Sequence, residues 1–127
     1  MIQFKAIGHV ENDIEIGAAP ESVKSMESRI ILDPDLVSGL KGLELGQRIM
    51  VVFHFHRSQN YDLLQHPRGD KTLALQGVFA LRSPNRPNPI GITQVDLETI
   101  EGNVLRVRGL DAINGTPVLD LKPARRV

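Results

Sequence analysis

The residues best suited to chemistry fall in one stretch, Arg82-Ser83-Pro84-Asn85-Arg86-Pro87-Asn88-Pro89-Ile90-Gly91. Arg82 and Arg86 carry planar, permanently charged forks that match a carboxylate or a phosphate. Asn88 adds both a donor and an acceptor. Pro84, Pro87 and Pro89 fix φ, remove backbone donors and push each preceding residue out of the helical region. This spacing predicts a stiff, extended connection akin to polyproline II, which loses little entropy on meeting a ligand. Gly91 permits a close backbone approach. The same composition also suits a rigid inter-strand connection whose arginines face water. The density of polar groups between the prolines favours the ligand-binding reading. His54 and His56, two apart on one strand face, could serve a metal. No carboxylate with ligand spacing accompanies them, so packing or stacking against a ligand is preferred and no metal is expected.

The elements that must position these groups are mostly strands, because period-2 patterns dominate. Phe4, Ala6, Gly8 and Val10 share one face of a predicted first strand. Arg29 to Leu32 is a short apolar strand. Asp33-Pro34 reads as an N-cap with proline at the first helical position, opening a brief helix from Pro34 to Leu40. Arg48 to His56 is the central strand, with Val51, Phe53 and Phe55 on one face. Ser58 to Lys71 reads as a loop, and Thr72 to Leu81 as a return to strand. Thr93, Val95, Leu97 and Thr99 alternate with Gln94, Asp96 and Glu98 in a half-buried strand. Glu101-Gly102-Asn103 turns the chain into Val104 to Arg108. Asn114-Gly115 predicts a tight type I′ hairpin before a last strand, Thr116 to Leu121. The expected fold is mainly β: a single-domain β-barrel or strongly curled antiparallel sheet with one or two short helices. No glycine-rich turn links a strand to a long helix, which excludes a Rossmann unit.

The 127 residues fit one domain over 1–127. Such a small domain holds a deep pocket poorly, so a pocket shared between two copies is expected. The absence of cysteine excludes disulfides and thiolate metal sites. No apolar run approaches the ~20 residues that span a bilayer. Met1 to Lys5 lacks the pattern of a signal peptide, so a cytoplasmic protein with no membrane partner is expected. Zero net charge excludes a bulk polyanion binder. Charge is nevertheless uneven. Glu11, Asp13, Glu15, Glu21, Glu27, Asp33, Asp35 and Glu44 crowd the early chain. Arg57, Arg68, Lys71, Arg82, Arg86, Lys122, Arg125 and Arg126 mark the middle and the end. That clustering suits a local anion-binding patch or an ordinary solvated surface.

The run from Gly77 to Gly91, Gly-Val-Phe-Ala-Leu-Arg-Ser-Pro-Asn-Arg-Pro-Asn-Pro-Ile-Gly, resembles a signature of the TsaA/TrmO family of small, β-rich tRNA adenosine methyltransferases. The run from Asp111 to Pro123, Asp-Ala-Ile-Asn-Gly-Thr-Pro-Val-Leu-Asp-Leu-Lys-Pro, resembles a second, in the right order and separation. The resemblance is weak before residue 40 and strong from Gly77 to Pro123. It implies a β-barrel that uses S-adenosyl-L-methionine, forms a homodimer with the cofactor near the interface, and methylates a modified adenosine beside the anticodon of tRNA. By matching position it assigns cofactor contact to His56, Arg57, Arg82 and Ile92, and to Gly109, Leu110, Asp111 and Ala112 largely through backbone. Arg86, Asn88, Asp120 and Lys122 are assigned to methyl transfer or RNA contact. Asp120 is the candidate proton acceptor, with Lys122 tuning its charge or holding phosphate. Three departures stand out. Ala19-Pro20-Glu21-Ser22 replaces the family's Pro-Arg-Gln motif, Ala124 stands where Lys-Pro is usually followed by tyrosine, and the extra C-terminal domain of some members is not expected after Val127. They keep two alternatives open: a methyltransferase of the same fold with another substrate, and a noncatalytic module that binds the cofactor or a nucleotide.

Overall fold

A computed structural model of the chain describes residues 1–14 and 23–125. Eight strands are present among them: β1 (Gly8–Glu11), β2 (Glu27–Leu32), β3 (Arg48–His54), β4 (Leu64–Gln65), β5 (Gln76–Gly77), β6 (Ile90–Glu101), β7 (Val104–Arg108) and β8 (Pro117–Pro123). Six of them close into a barrel in the order β1-β2-β7-β6-β3-β8, with β8 returning to β1 and every pairing antiparallel. Closure follows from the alternation. Ile30 and Leu32, Ile49, Val51 and Phe53, Val95 and Leu97, and Leu105 and Val107 all turn inward and are buried together. The barrel expectation therefore holds. β4 and β5 form a separate two-stranded flap.

Asp33 caps the segment Pro34–Leu40 as expected, its side chain accepting from the Asp35 N–H at 3.0 Å, but the segment is 3₁₀ rather than α-helical. Two shorter 3₁₀ turns span Pro67–Gly69 and Val78–Ala80.

Five local expectations need correction. The first strand starts at Gly8 rather than Phe4, which is exposed, because residues 1–6 face no partner strand. The central strand ends at His54, although the Phe55 N–H still bonds the Pro89 carbonyl at 2.7 Å. Thr72 to Leu81 is not a strand: only Gln76–Gly77 pairs, and Leu73 and Leu75 alternate without a core to enter. The alternation of β6 breaks at a bulge between Leu97 and Thr99, which passes the inward position to Ile100. Finally, Asn114-Gly115 joins no hairpin. Only Gly115 has positive φ (86°), the Thr116 N–H returns to the Ile113 carbonyl, and the turn feeds β8 toward β1. The tight hairpin is instead Gly102-Asn103 between β6 and β7, where positive φ at the first central residue fits a type II′ turn.

Candidate functional site

β6 emerges directly from the proline-rich loop, so Ile90, Gly91, Ile92 and Thr93 lie beside the end of β3. Gly91 opposes Phe53, and a Cβ there would sit 2.6 Å from Phe53 Cζ and 2.7 Å from Phe55 Cζ. The close approach expected at Gly91 is thus present. The loop itself is not a straight polyproline rod. It bends around Arg86, whose Nη1 donates to the carbonyls of Leu81 at 2.8 Å and Ser83 at 3.2 Å. Prolines strip the loop of backbone donors, and the guanidinium supplies them instead. Gln65 Nε2 reaches the Asn85 carbonyl at 2.6 Å and Ser58 Oγ reaches Asn85 Oδ1 at 3.0 Å, tying the flap to the loop.

Beyond this loop lies a groove of about 880 Å³. Arg82, Ile92, Thr93, Gly109 and Asp111 line it, with Met50 and Gln94 on its sheet wall. Ile92 leaves 47% of its surface exposed, a large apolar side chain facing outward. Thr93 Oγ1 donates a short hydrogen bond to Asp111 Oδ1 and locks β6 to the segment after β7. Gly109 has φ 93° and hydrogen-bonds the Met26 carbonyl at 3.1 Å; a Cβ would come within 3.5 Å of the Lys24 carbonyl. Arg82, Ile92, Thr93 and Asp111 also border a smaller recess of about 240 Å³ with Phe55 and Arg86.

The sequence-predicted residues divide accordingly. Arg82, Ile92, Gly109 and Asp111 converge on the groove. Leu110 and Ala112 turn their side chains into the core, and the Ala112 carbonyl accepts from Asn12 Nδ2 at 2.8 Å. Arg57 lines a separate, larger groove of about 1170 Å³, which Arg82 joins to the first. His56 has an Nδ1 screened from solvent and without a hydrogen-bond partner. Burial, then the charges of Arg57 and His54, lower its pKa, partly offset by the His54 backbone. Asn88 lines neither groove; its carbonyl accepts from the Ile90 N–H at 2.7 Å. Asp120 and Lys122 form an ion pair at 2.8 Å and border a different hollow beside Leu36 and Leu40. They still share the outer sheet face with Ile92. The register aligns Ile92, Val52 and Asp120 across β6, β3 and β8, about 10 Å end to end by ordinary strand spacing. Ala19 to Ser22 lie outside the described residues. Thr93 carried no sequence signal, since its partner stands 18 positions away. Among the described residues no group of three or more His, Asp or Glu is placed to hold a metal ion.

The closed six-stranded antiparallel order places the chain among small β-barrel domains, here with an arginine-marked groove on the outer wall. The tRNA-methyltransferase O N-terminal domain family matches residues 9–126, and the chain belongs to that family. It is 43% identical to a probable S-adenosyl-L-methionine-binding protein of Methanothermobacter thermautotrophicus, over 96% of this chain and 89% of that one. It is 42% identical to the human tRNA (adenine(37)-N6)-methyltransferase, over 77% of this chain but 22% of the human protein. Its fold matches the crystal structure of TrmO from Pseudomonas aeruginosa with a TM-score of 0.74 at 30% identity, covering 98% of this chain and 56% of that one. The chain therefore spans little more than half of that TrmO and about a fifth of the human enzyme.

Proposed function

We propose that this chain binds S-adenosyl-L-methionine and transfers its methyl group to the exocyclic nitrogen of a modified adenosine next to the tRNA anticodon. The observation that carries the reading is the convergence of two stretches, Arg82 and Ile92 from one and Gly109 and Asp111 from the other, on one groove of about 880 Å³. That volume falls within the ~300–1,000 Å³ usual for cofactor sites. Its chemistry fits the cofactor: a permanent cation for a carboxylate, a carboxylate for an ammonium or hydroxyl, an exposed apolar surface for a base, and a glycine that permits close approach. The names of the relatives support the same cofactor and reaction.

Bound S-adenosylmethionine supplies an already activated methyl group, so the protein mainly aligns the reactants. Arg82 grips the methionyl carboxylate, Ile92 covers the adenosine, the backbone of Gly109 to Ala112 completes the groove, and Arg57, with His56 next to it, joins from the adjoining groove that Arg82 also borders. Arg86 holds the proline-rich loop in shape, and Asn88 stands where the loop meets the substrate. Asp120, across Val52 from Ile92, accepts the proton that the attacking nitrogen must lose, and Lys122 holds its carboxylate in place. Residues 1–127 act as one domain, and two copies pair with the cofactor near their interface. Exposed Leu63, Leu73 and Phe79 on and beside the flap support that pairing. A tRNA substrate is consistent with a cytoplasmic protein.

Calorimetric titration of S-adenosylmethionine into the wild type and Arg82→Ala tests the site, and labelled-methyl transfer to tRNA bearing threonylcarbamoyladenosine tests the reaction. Saturable binding lost in the variant, followed by transfer that Asp120→Asn slows by about 10²-fold or more, is expected. Binding without transfer to any RNA would make the chain a cofactor-binding module instead.

A further inference from the structure

Among the described residues, the barrel-strand cations are all paired, while Lys5, Lys24, Lys41, Arg86 and Arg125 stand without an ion pair at scattered places and four further such cations gather in one groove. Every arginine and lysine on a barrel strand has a carboxylate partner: Arg29 with Glu11 at 3.6 Å, Arg48 with Asp96 at 3.6 Å, Arg106 with Glu27 at 3.1 Å, Arg108 with Glu98 at 3.1 Å, and Lys122 with Asp120 at 2.8 Å. Arg57, Arg68, Lys71 and Arg82 have no ion pair within 4 Å among the described residues, although the Asp70 carboxylate feels the charge of Arg68. All four line the groove of about 1170 Å³ between residues 57–71 and the proline-rich loop, with Asp62 the one carboxylate on its wall. Tyr61 lies in the same wall, 50% exposed. Arg68 is the one described non-glycine residue with positive φ (52°). L-residues resist that conformation and glycine does not, so folding alone does not explain an arginine there.

We infer that this groove holds the single-stranded RNA backbone beside the target nucleoside, with Tyr61 stacking on a neighbouring unpaired base. The inference rests on the methyltransferase reading above. Arg68 and Lys71, the cations of this open groove that the cofactor site does not use, neutralise phosphates, and the exposed Tyr61 ring beside them offers a base a stacking face. An acidic protein segment would use the charges but not the ring. Arg82, shared by both grooves, is the point at which the strand passes its nucleoside to the cofactor site.

The test uses the full chain and a fluorescein-labelled tRNA anticodon stem-loop, with anisotropy read over a range of KCl concentrations and S-adenosylmethionine calorimetry on each variant. Two phosphate contacts, Arg68 and Lys71, on a single strand give a slope of log K against log salt of about −1.4. Arg68→Gly and Lys71→Gln each make it shallower by about 0.7, and together by about 1.4. Tyr61→Ala weakens binding about tenfold with the slope unchanged. Cofactor affinity stays at the wild-type value in all of them, and Arg68→Gly melts no lower than the wild type. An unchanged slope in the double variant, while wild-type and variant proteins still methylate tRNA, overturns the groove and leaves the methyltransferase reading standing. Cofactor binding with no stem-loop binding by the wild type removes the RNA substrate and this inference together. Binding of poly-glutamate but not the stem-loop assigns the groove to an acidic protein and overturns it.

Discussion

Gly91→Ala should unsettle the barrel and the site together. The added methyl would lie 2.6 Å from Phe53 Cζ, 2.8 Å from Phe53 Cε2 and 2.7 Å from Phe55 Cζ, all well inside van der Waals contact. Neither ring can swing away freely. Phe53 is 1% exposed in the core, and the two rings pack edge to face with centroids 5.2 Å apart. Overpacking of this kind costs about 1–3 kcal/mol, and losing the aromatic geometry adds up to about 1 kcal/mol. A destabilisation of about 2–3 kcal/mol is therefore expected, which lowers Tm by roughly 8–12 °C in a domain of this size. Urea unfolding of the wild type and variant measures it directly. Phe53→Leu removes two of the three atoms that clash, leaving only Phe55 Cζ, so in that background the same alanine should cost about 1 kcal/mol less. A loss below about 0.5 kcal/mol in the wild-type background, or no coupling to Phe53, would refute the steric argument. Because Ile92 follows Gly91 directly, a variant that folds should also bind S-adenosylmethionine more weakly.

His56 supplies a pH test. Its folded pKa lies below the ordinary value of 6.5, so the unfolded chain gains the proton first as pH falls. The stability that the neutral ring supplies is complete above pH ~6.5 and is lost between there and the lower folded pKa. Urea midpoints from pH 7.5 to 5.0 should thus fall less steeply in His56→Gln, and equal slopes would rule the mechanism out. Thr93→Val keeps the side-chain shape but frees Asp111; cofactor affinity measured by calorimetry should drop about fivefold with little change in Tm. Asp33→Ala removes the acceptor for the Asp35 N–H and should cost about 1 kcal/mol in urea unfolding.

Where a strand packs on both neighbours, its residues announced it. Val51 and Phe53, Val95 and Leu97, and Leu105 and Val107 alternate inward because each has a buried cluster to enter. Leu73 and Leu75 show the same alternation and form no strand, since the pattern records which faces are apolar and not whether a core lies beneath them. The Arg82 groove was legible through the proline-rich motif, yet its geometry was not. The bend of that loop depends on Arg86 reaching carbonyls three and five residues back, a response to missing donors that dihedral preferences alone do not predict. The bond between Thr93 and Asp111 joins segments brought together only by the pairing of β6 with β7.

The barrel itself dictates where a ligand can bind. Six strands enclose less than the eight whose interior side chains just fill, and here Phe53, Ile30, Leu105 and Val118 already occupy that interior. A ligand must then lie on the outer wall, in hollows made by the connections: the proline-rich loop, the segment after β7, and the flap. Arg82 borders both large hollows, so Arg82→Ala should weaken cofactor and RNA alike and cannot by itself tell one site from the other. Ile92 and Arg68 each border one. Ile92→Ser should therefore reduce cofactor affinity and leave the salt slope of RNA binding intact, while Arg68→Gly should do the reverse. If both substitutions shifted both affinities equally, the two grooves would be a single site and the division of labour drawn from their geometry would be wrong.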